Sequence, residues 1–269
     1  MLRTRVLSAL VMAPLVAWPV WAGGWWLFGG ALLLAAGAGY EFCRLMAKGD
    51  HQLWYPLVLA GIGLFFVDAQ FPQLGVLPIG LAWLVMASLV WQLFQARAAT
   101  PTPDWALTMA GGLYIGGLLS HFVRLRSLPG NDGLAWLALA LLVTWSSDSG
   151  AYFVGRAWGQ RKLCPRLSPG KTWEGIVGGL VAGALAGLLV GWLLTLGLGA
   201  VGALNGLWVG LIVSVVSPLG DLAESMMKRE AHVKDSGNLI PGHGGVLDRV
   251  DSLLFVVPVV YYFAIWVGR

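Results

Sequence analysis

Two carboxylates one helical turn apart, Asp221 and Glu224, stand in an apolar run with no basic residue in the preceding turns. Together with Ser214, Ser217, Ser225 and Lys228 they recur at spacings of three and four, which puts them on one face of a helix. Pro218, in the same run, lacks a backbone N–H and can expose a carbonyl at that depth. Oxygen donors of this kind suit a hard cation. Asp221, the deeper of the two carboxylates, is the better metal ligand. Glu224 is equally suited to an ion pair with Lys228 or Arg229.

The surroundings are as unusual as the pair. The chain has 17 Lys and Arg and 13 Asp and Glu, and ten of these fall in the 31 positions from Asp221 to Asp251, with two of the four histidines. Charge in or beside a bilayer is expensive, so such a cluster marks a functional site by default. Its glycine-rich turn, P-G-H-G-G from Pro241 to Gly245, carries His243 and permits close backbone approach to a ligand. Asp248, Arg249 and Asp251 follow it.

Two further segments offer polar groups. In T-W-S-S-D-S-G-A-Y-F-V-G, Thr144, Asp148 and Tyr152 share a helix face, and Asp148 is either a solvated aspartate or part of a polar cavity. The next connection is basic, with Arg156, Arg161, Lys162 and Arg166 followed by S-P-G-K-T-W-E-G. Some of this charge serves to anchor the chain beside anionic headgroups. Gly170-Lys171-Thr172 looks like the end of a Walker A loop, but Pro165 stands where that pattern needs glycine, and no preceding strand is expected. Ser168 and Lys171 remain candidates for phosphate contacts at a helix N-terminus, and Ser168 also suits a helix cap. Carboxylates for a metal and cations for phosphate are the two halves of a phosphate-transfer site. No Ser–His–Asp or Cys–His arrangement stands out, and Cys43 and Cys164 suggest neither a disulfide nor a zinc site.

The elements that must position these groups are membrane helices. The chain is 58% hydrophobic and 11% charged, against about 25% charged in soluble domains. Its mean hydropathy is +0.75. Fifteen tryptophans fit interfacial belts. The net charge of +4 calls for no nucleic-acid partner.

The spacing of apolar runs predicts an all-α polytopic protein of nine spans: Val6–Ala22, Trp25–Met46, Trp54–Ala69, Val76–Phe94, Trp105–Val123, Leu134–Val154, Gly175–Leu196, Gly206–Met227 and Val250–Val267. The start, M-L-R-T-R before an apolar run, resembles a signal peptide but reads as an uncleaved first span. Residues 1–130 then form an N-terminal region of five spans. Residues 131–269 form a region of four spans with two polar cytoplasmic connections, about Gly155–Glu174 and Lys228–Arg249. With the N-terminus in the cytoplasm, 14 of the 17 Lys and Arg lie inside, and only Arg124, Arg126 and Arg269 lie outside. The C-terminus is therefore expected outside. Gly175, Gly179, Gly183, Gly187 and Gly191 recur every four residues and let a second helix approach closely, within the chain or across a dimer.

The run S-M-M-K-R-E-A-H-V-K-D-S-G-N-L-I-P-G-H-G-G-V-L-D-R-V-D, Ser225 to Asp251, resembles the signature of the phosphatidate cytidylyltransferase (CDP-diacylglycerol synthase) family. D-S-G-A-Y-F-V-G-R and S-P-G-K-T-W-E-G are also similar to that family, and the likeness extends over essentially the whole chain.

The resemblance implies transfer of CMP from CTP to phosphatidate, giving CDP-diacylglycerol and pyrophosphate. It further implies magnesium, a neighbouring monovalent cation such as potassium, a dimer, and a bacterial inner-membrane enzyme whose site faces the cytoplasm. Family metal ligands match Asp221 and Asp248. Lys228, Arg229, Lys234 and Arg249 are then candidates for the triphosphate or the lipid phosphate. Asp148, Asp235 and Asp251 would orient those cations or help to hold metal, and His243 would touch phosphate. A CTP-dependent polyprenol or lipid kinase would use similar groups. A transporter would want broken helices in repeat-related positions, which the sequence lacks.

Overall fold

The computed structural model describes residues 14–95, 100–237 and 244–268. His243, Arg97 and residues 6–13 of the first expected span lie outside them; the rest of that span, residues 14–22, is helical. Eight further helices follow: α1 Gly24–Lys48, α2 Tyr55–Gln70, α3 Val76–Leu93, α4 Pro101–Arg126, α5 Asp132–Trp158, α6 Trp173–Leu198, α7 Ala203–Glu230 and α8 Leu247–Val267. Each expected span from the second onward falls on one of them, with ends shifted by up to four residues. Among the described residues, seven of these helices are long and apolar enough to cross a membrane. The exception is α2, whose 16 residues reach only about 24 Å against a hydrocarbon core of about 30 Å. A short 3₁₀ turn, Pro72–Leu74, and Gly75 at φ 56° then reverse the chain into α3.

Helix is not the whole of it. Lys162–Cys164 (β1) and Ser168–Thr172 (β2) pair antiparallel, with Lys162 opposite Thr172 and Cys164 opposite Ser168. This hairpin corrects two expectations. Ser168 is not the cap of the following helix, because it lies in β2. The cap is Thr172, whose hydroxyl accepts from Gly175 N–H at 3.1 Å. A strand does precede Gly170-Lys171-Thr172, but those residues are themselves in β2, so their amides do not form the cradle of a Walker A loop.

The chain divides into two compact units. The first comprises Met1–Arg124 and Met227–Val250, the second Leu125–Met226 and Asp251–Arg269.

In the first unit, Phe42, Leu45, Val58, Ile62, Phe66 and Ile115 are almost wholly buried. Helices α2 and α4 run parallel and are clamped at both ends. Near their starts Trp54 N–H donates to Thr108, and Asp104 accepts from the His51 ring at 2.9 Å. Near their other ends Asp68 pairs with Arg124. Helix α4 widens to a π-helical stretch at Gly112–Gly117.

In the second unit the glycine stripe of α6 is consumed by packing within the chain, and all five of its glycines are buried. A Cβ at Gly175 would lie 2.9 Å from the Ala151 carbonyl of α5, and one at Gly191 would lie 2.6 Å from the Gly202 carbonyl. At Gly187 it would strike the carbonyl of Gly206 in α7. Ser214 closes the same seam by donating to the Gly210 and Gly179 carbonyls. In lipid, where apolar side chains gain nothing by leaving water, this close backbone approach is what holds helices together.

Gly187→Val should therefore destabilise the protein by about 1–3 kcal/mol, the usual cost of overpacking. Leu185→Ala, on the exposed side of the same helix, should change little. Thermal unfolding in detergent would test the contrast, and equal effects would remove the seam's role.

Candidate active site

Helix α5 ends at Trp158, with Gly159 as its C-cap, and the chain must turn back before α6. Glu174, in the first turn of α6, fixes that return by accepting from the backbone N–H groups of Gln160 and Arg161 at 3.1–3.3 Å. Trp173 N–H donates to the Arg161 carbonyl at 2.9 Å. The hairpin held between them presents Lys171 to α7. Its ammonium sits 2.9 Å from Asp221 Oδ2 and 3.1 Å from the carbonyl of Pro218. The acceptor is the carbonyl of Pro218 itself, not that of Ser214, four residues earlier, which the missing proline N–H leaves without its helical donor. Ser225 donates to Asp221 Oδ1 at 3.2 Å, and Ser217 donates to Asp148 Oδ1 at 2.8 Å. Of the three residues expected on one face of α5, only Asp148 joins this group. Thr144 bonds back to the Ala140 carbonyl, and the Tyr152 hydroxyl accepts from Arg156. These contacts lie in the second unit.

A separate carboxylate centre lies in the first. Helix α8 begins at Leu247, three residues earlier than expected, so Asp248 and Arg249 stand in its first turn and not in the loop. An acidic group there is favoured by the helix dipole. Asp248 Oδ2 reaches back to Gly245 N–H at 2.9 Å, as the acidic residue of a capping box does. The same oxygen accepts from Ser236 N–H at 3.0 Å and Ser236 Oγ at 2.9 Å. Its other oxygen lies 2.6 Å from Lys228 Nζ, and this ion pair is largely buried, with side-chain exposures of 11% for Lys228 and 8% for Asp248.

The remaining expected site residues are placed more loosely. Arg229, Lys234, Asp235 and Arg249 are exposed. Arg229 donates to the Val233 carbonyl at 3.2 Å. Asp251 is half-buried and accepts from Ser252 N–H at 2.6 Å. Ser168 is half-buried in β2. Glu224 is fully buried.

Sequence reasoning missed two residues here. Glu41, from α1, is 2% exposed and accepts from Leu247 N–H at 2.8 Å and from Ser236 Oγ at 3.2 Å. Ser236 lies within the charged segment but carries no charge. The signal for Glu41 was available: an ionisable residue inside an apolar span is a functional candidate in its own right.

The donor chemistry fits magnesium. Asp221, Asp148 and Asp248 offer hard oxygen ligands. Among the described residues no three Asp, Glu, His or Cys side chains gather as a metal cage. Magnesium needs no such cage, since it is commonly held by one or two carboxylates together with substrate phosphates.

Comparison with known proteins covers nearly all of this chain. The model of the cytidylyltransferase family matches residues 3–266. A phosphatidate cytidylyltransferase of Pseudomonas aeruginosa is 39% identical over 96% of this chain and 95% of its own length. One from Brucella suis is 38% identical over 97% of this chain and 93% of its own. One from Synechocystis is 35% identical over 97% and 96%. A match along nearly the full length, at this identity, places the chain in the cytidylyltransferase family.

Proposed function

We propose that Asp221 and Asp248 each act as a magnesium ligand, and that Lys171 and Lys228 bind phosphate, in the reaction of this phosphatidate cytidylyltransferase. That reaction joins CTP and phosphatidate to give CDP-diacylglycerol and pyrophosphate. A phosphate oxygen of phosphatidate attacks the α-phosphorus of CTP. The bond from that phosphorus to the oxygen bridging it to the β-phosphorus breaks, and pyrophosphate leaves with the electron pair. A phosphate monoester has a second pKa of about 6, so the attacking oxygen is already largely anionic and no protein base is needed. The task is to bring polyanions together and hold them in line. Magnesium, when bound, neutralises triphosphate oxygens and the developing charge on the leaving group.

The observation that carries this assignment is the pairing of Lys171 with Asp221 and of Lys228 with Asp248. Each pair holds one group of the metal-binding type and one of the phosphate-binding type. Each lysine supplies positive charge beside its carboxylate, and with a cation on that carboxylate it would be available to serve phosphate. Arg229, Lys234 and Arg249, exposed in the charged segment, extend the positive surface. Asp148, Asp235 and Asp251 orient cations, and Ser168 and His243 contribute phosphate contacts. Potassium is proposed as a second cation, and a homodimer as the working assembly. The glycine stripe of α6, being buried within the chain, does not supply the dimer contact.

The proposed topology has nine spans in the inner membrane, with the N-terminus cytoplasmic and the C-terminus outside. The distribution of Lys and Arg supports it. It makes the surfaces carrying Lys171, Asp221 and Asp248 cytoplasmic, where CTP is found.

Incubating the purified protein with magnesium, phosphatidate and CTP labelled in the α-phosphate should leave the label in lipid; label in CDP would indicate a kinase. In this assay Asp221→Asn and Asp248→Asn should each lower turnover more than about 100-fold, beyond the roughly 10- to 100-fold usual for outer-shell partners. Retention of near-normal turnover by either would end its metal role, provided the variant stays folded in the membrane. Lys171→Ala should raise the apparent KM for CTP or phosphatidate about 10-fold, the loss of roughly 1.5 kcal/mol from a charged hydrogen bond. Unchanged kinetics would leave Lys171 a structural partner of Asp221. A reporter fused after Arg269 should be active only outside the cytoplasm, and a cytoplasmic signal would break the topology.

A further inference from the structure

Glu41 is a carboxylate inside a membrane helix, in the part of the chain that carries none of the signature residues. Among the described residues its Oε1 has no hydrogen-bond partner. Its Oε2 accepts from Leu247 N–H at 2.8 Å, where α8 begins, and from Ser236 Oγ at 3.2 Å. Ser236 also approaches Asp248 Oδ2, through its hydroxyl at 2.9 Å and its backbone N–H at 3.0 Å. A serine hydroxyl has one proton to donate. That proton is shared between the two carboxylates, with the shorter approach to Asp248. The packing leaves no slack around this group. A Cβ on Gly237 or Gly245 would collide with the Glu41 carboxylate. The two glycines flank the signature turn, so the backbone on either side of that turn is pressed against Glu41.

We infer that Glu41 is a positioning residue for Asp248, acting through Ser236 and through the backbone at Gly245 and Leu247. It sets the start of α8 and the serine that together fix the rotamer of Asp248. A carboxylate in this place is costly to bury, and a purely apolar contact would have held α1 and α8 together without it. What the carboxylate adds is an acceptor for an otherwise unsatisfied helix N-terminal amide and for the Ser236 hydroxyl. The inference rests on Asp248 having the catalytic role proposed for it, but not on that role being metal binding.

The test compares Glu41→Ala, Glu41→Gln and the unaltered protein in detergent, by three measurements. Glu41→Ala should lower kcat about 10- to 100-fold, the range found for outer-shell partners of functional ligands, with the KM for CTP changed far less. Amide exchange of the peptides covering 236–237 and 244–248 should quicken, while that of α5 and α6 stays as it was. Glu41→Gln, which keeps an oxygen acceptor of the same reach, should restore most of kcat and the slow exchange. Wild-type kcat and exchange in Glu41→Ala would overturn the inference. So would equal loss in both variants accompanied by faster exchange throughout the protein, which would make Glu41 a general packing residue. The magnesium titration separates the two readings. A raised magnesium requirement in Glu41→Ala supports positioning of a metal ligand. A lowered kcat and faster local exchange at an unchanged requirement support positioning, and remove the metal role of Asp248.

Discussion

The carboxylate of Asp248 accepts hydrogen bonds from Lys228, from two groups of Ser236 and from Gly245, and the described parts of the signature segment are arranged to meet that demand. A charge that is largely out of water must be both paired and hydrogen-bonded, or its burial costs several kcal/mol. Lys228 supplies the counter-charge from the end of α7. Ser236 and Gly245 supply neutral donors from the two sides of the glycine-rich turn. The helix that follows adds its dipole. The long signature is therefore also a set of mutual constraints on one buried anion.

The second unit solves a different problem. Its helices must come together without hydrophobic driving force, and they do so by removing side chains from the seam. The cost is that the α6 seam has almost no polar specificity, with Ser214 the exception. Specificity comes at the start of α6, where Thr172 caps the helix and Glu174 ties the preceding loop to it. Close packing then fixes where the hairpin falls, and so where Lys171 meets Asp221.

These two mechanisms explain what the sequence made legible. Helices of 16 to 28 residues are written in long apolar runs, and every one expected from Trp25 onward is present. The carboxylates were legible because charge is rare in such a chain. The hairpin was not: β1 and β2 have three and five residues, and Pro169 and Gly170 argue locally against strand. Tertiary anchoring by Glu174 overrides them. The start of α8 was placed too late because Asp248 and Arg249 look like loop residues, whereas an acidic first turn is what a helix N-terminus favours. The identity of ion-pair partners was the least legible feature. Lys228 was weighed as a partner for Glu224, one turn away on the same helix, whereas its pair with Asp248, 20 positions along the chain, was not foreseen. Local spacing shows which groups share a face and says nothing of what folds over it.

Lysine, and not arginine, stands beside both proposed metal ligands, and the choice has physical sense. A guanidinium forms a rigid two-pronged pair with a carboxylate, whereas an ammonium on four methylenes is a compact charge that can swing between acceptors. On the proposed reading, Lys171 and Lys228 must neutralise a carboxylate when no substrate is present and phosphate when it is. A fixed fork would hold the carboxylate in both states and compete with the cation that the carboxylate is meant to bind. The arginines of the signature, Arg229 and Arg249, are exposed, where attraction of a polyanion from solution asks for charge and not for exchange of partners. On this reading the lysines beside the carboxylates exchange partners, while the exposed Arg229, Lys234 and Arg249 draw triphosphate toward them.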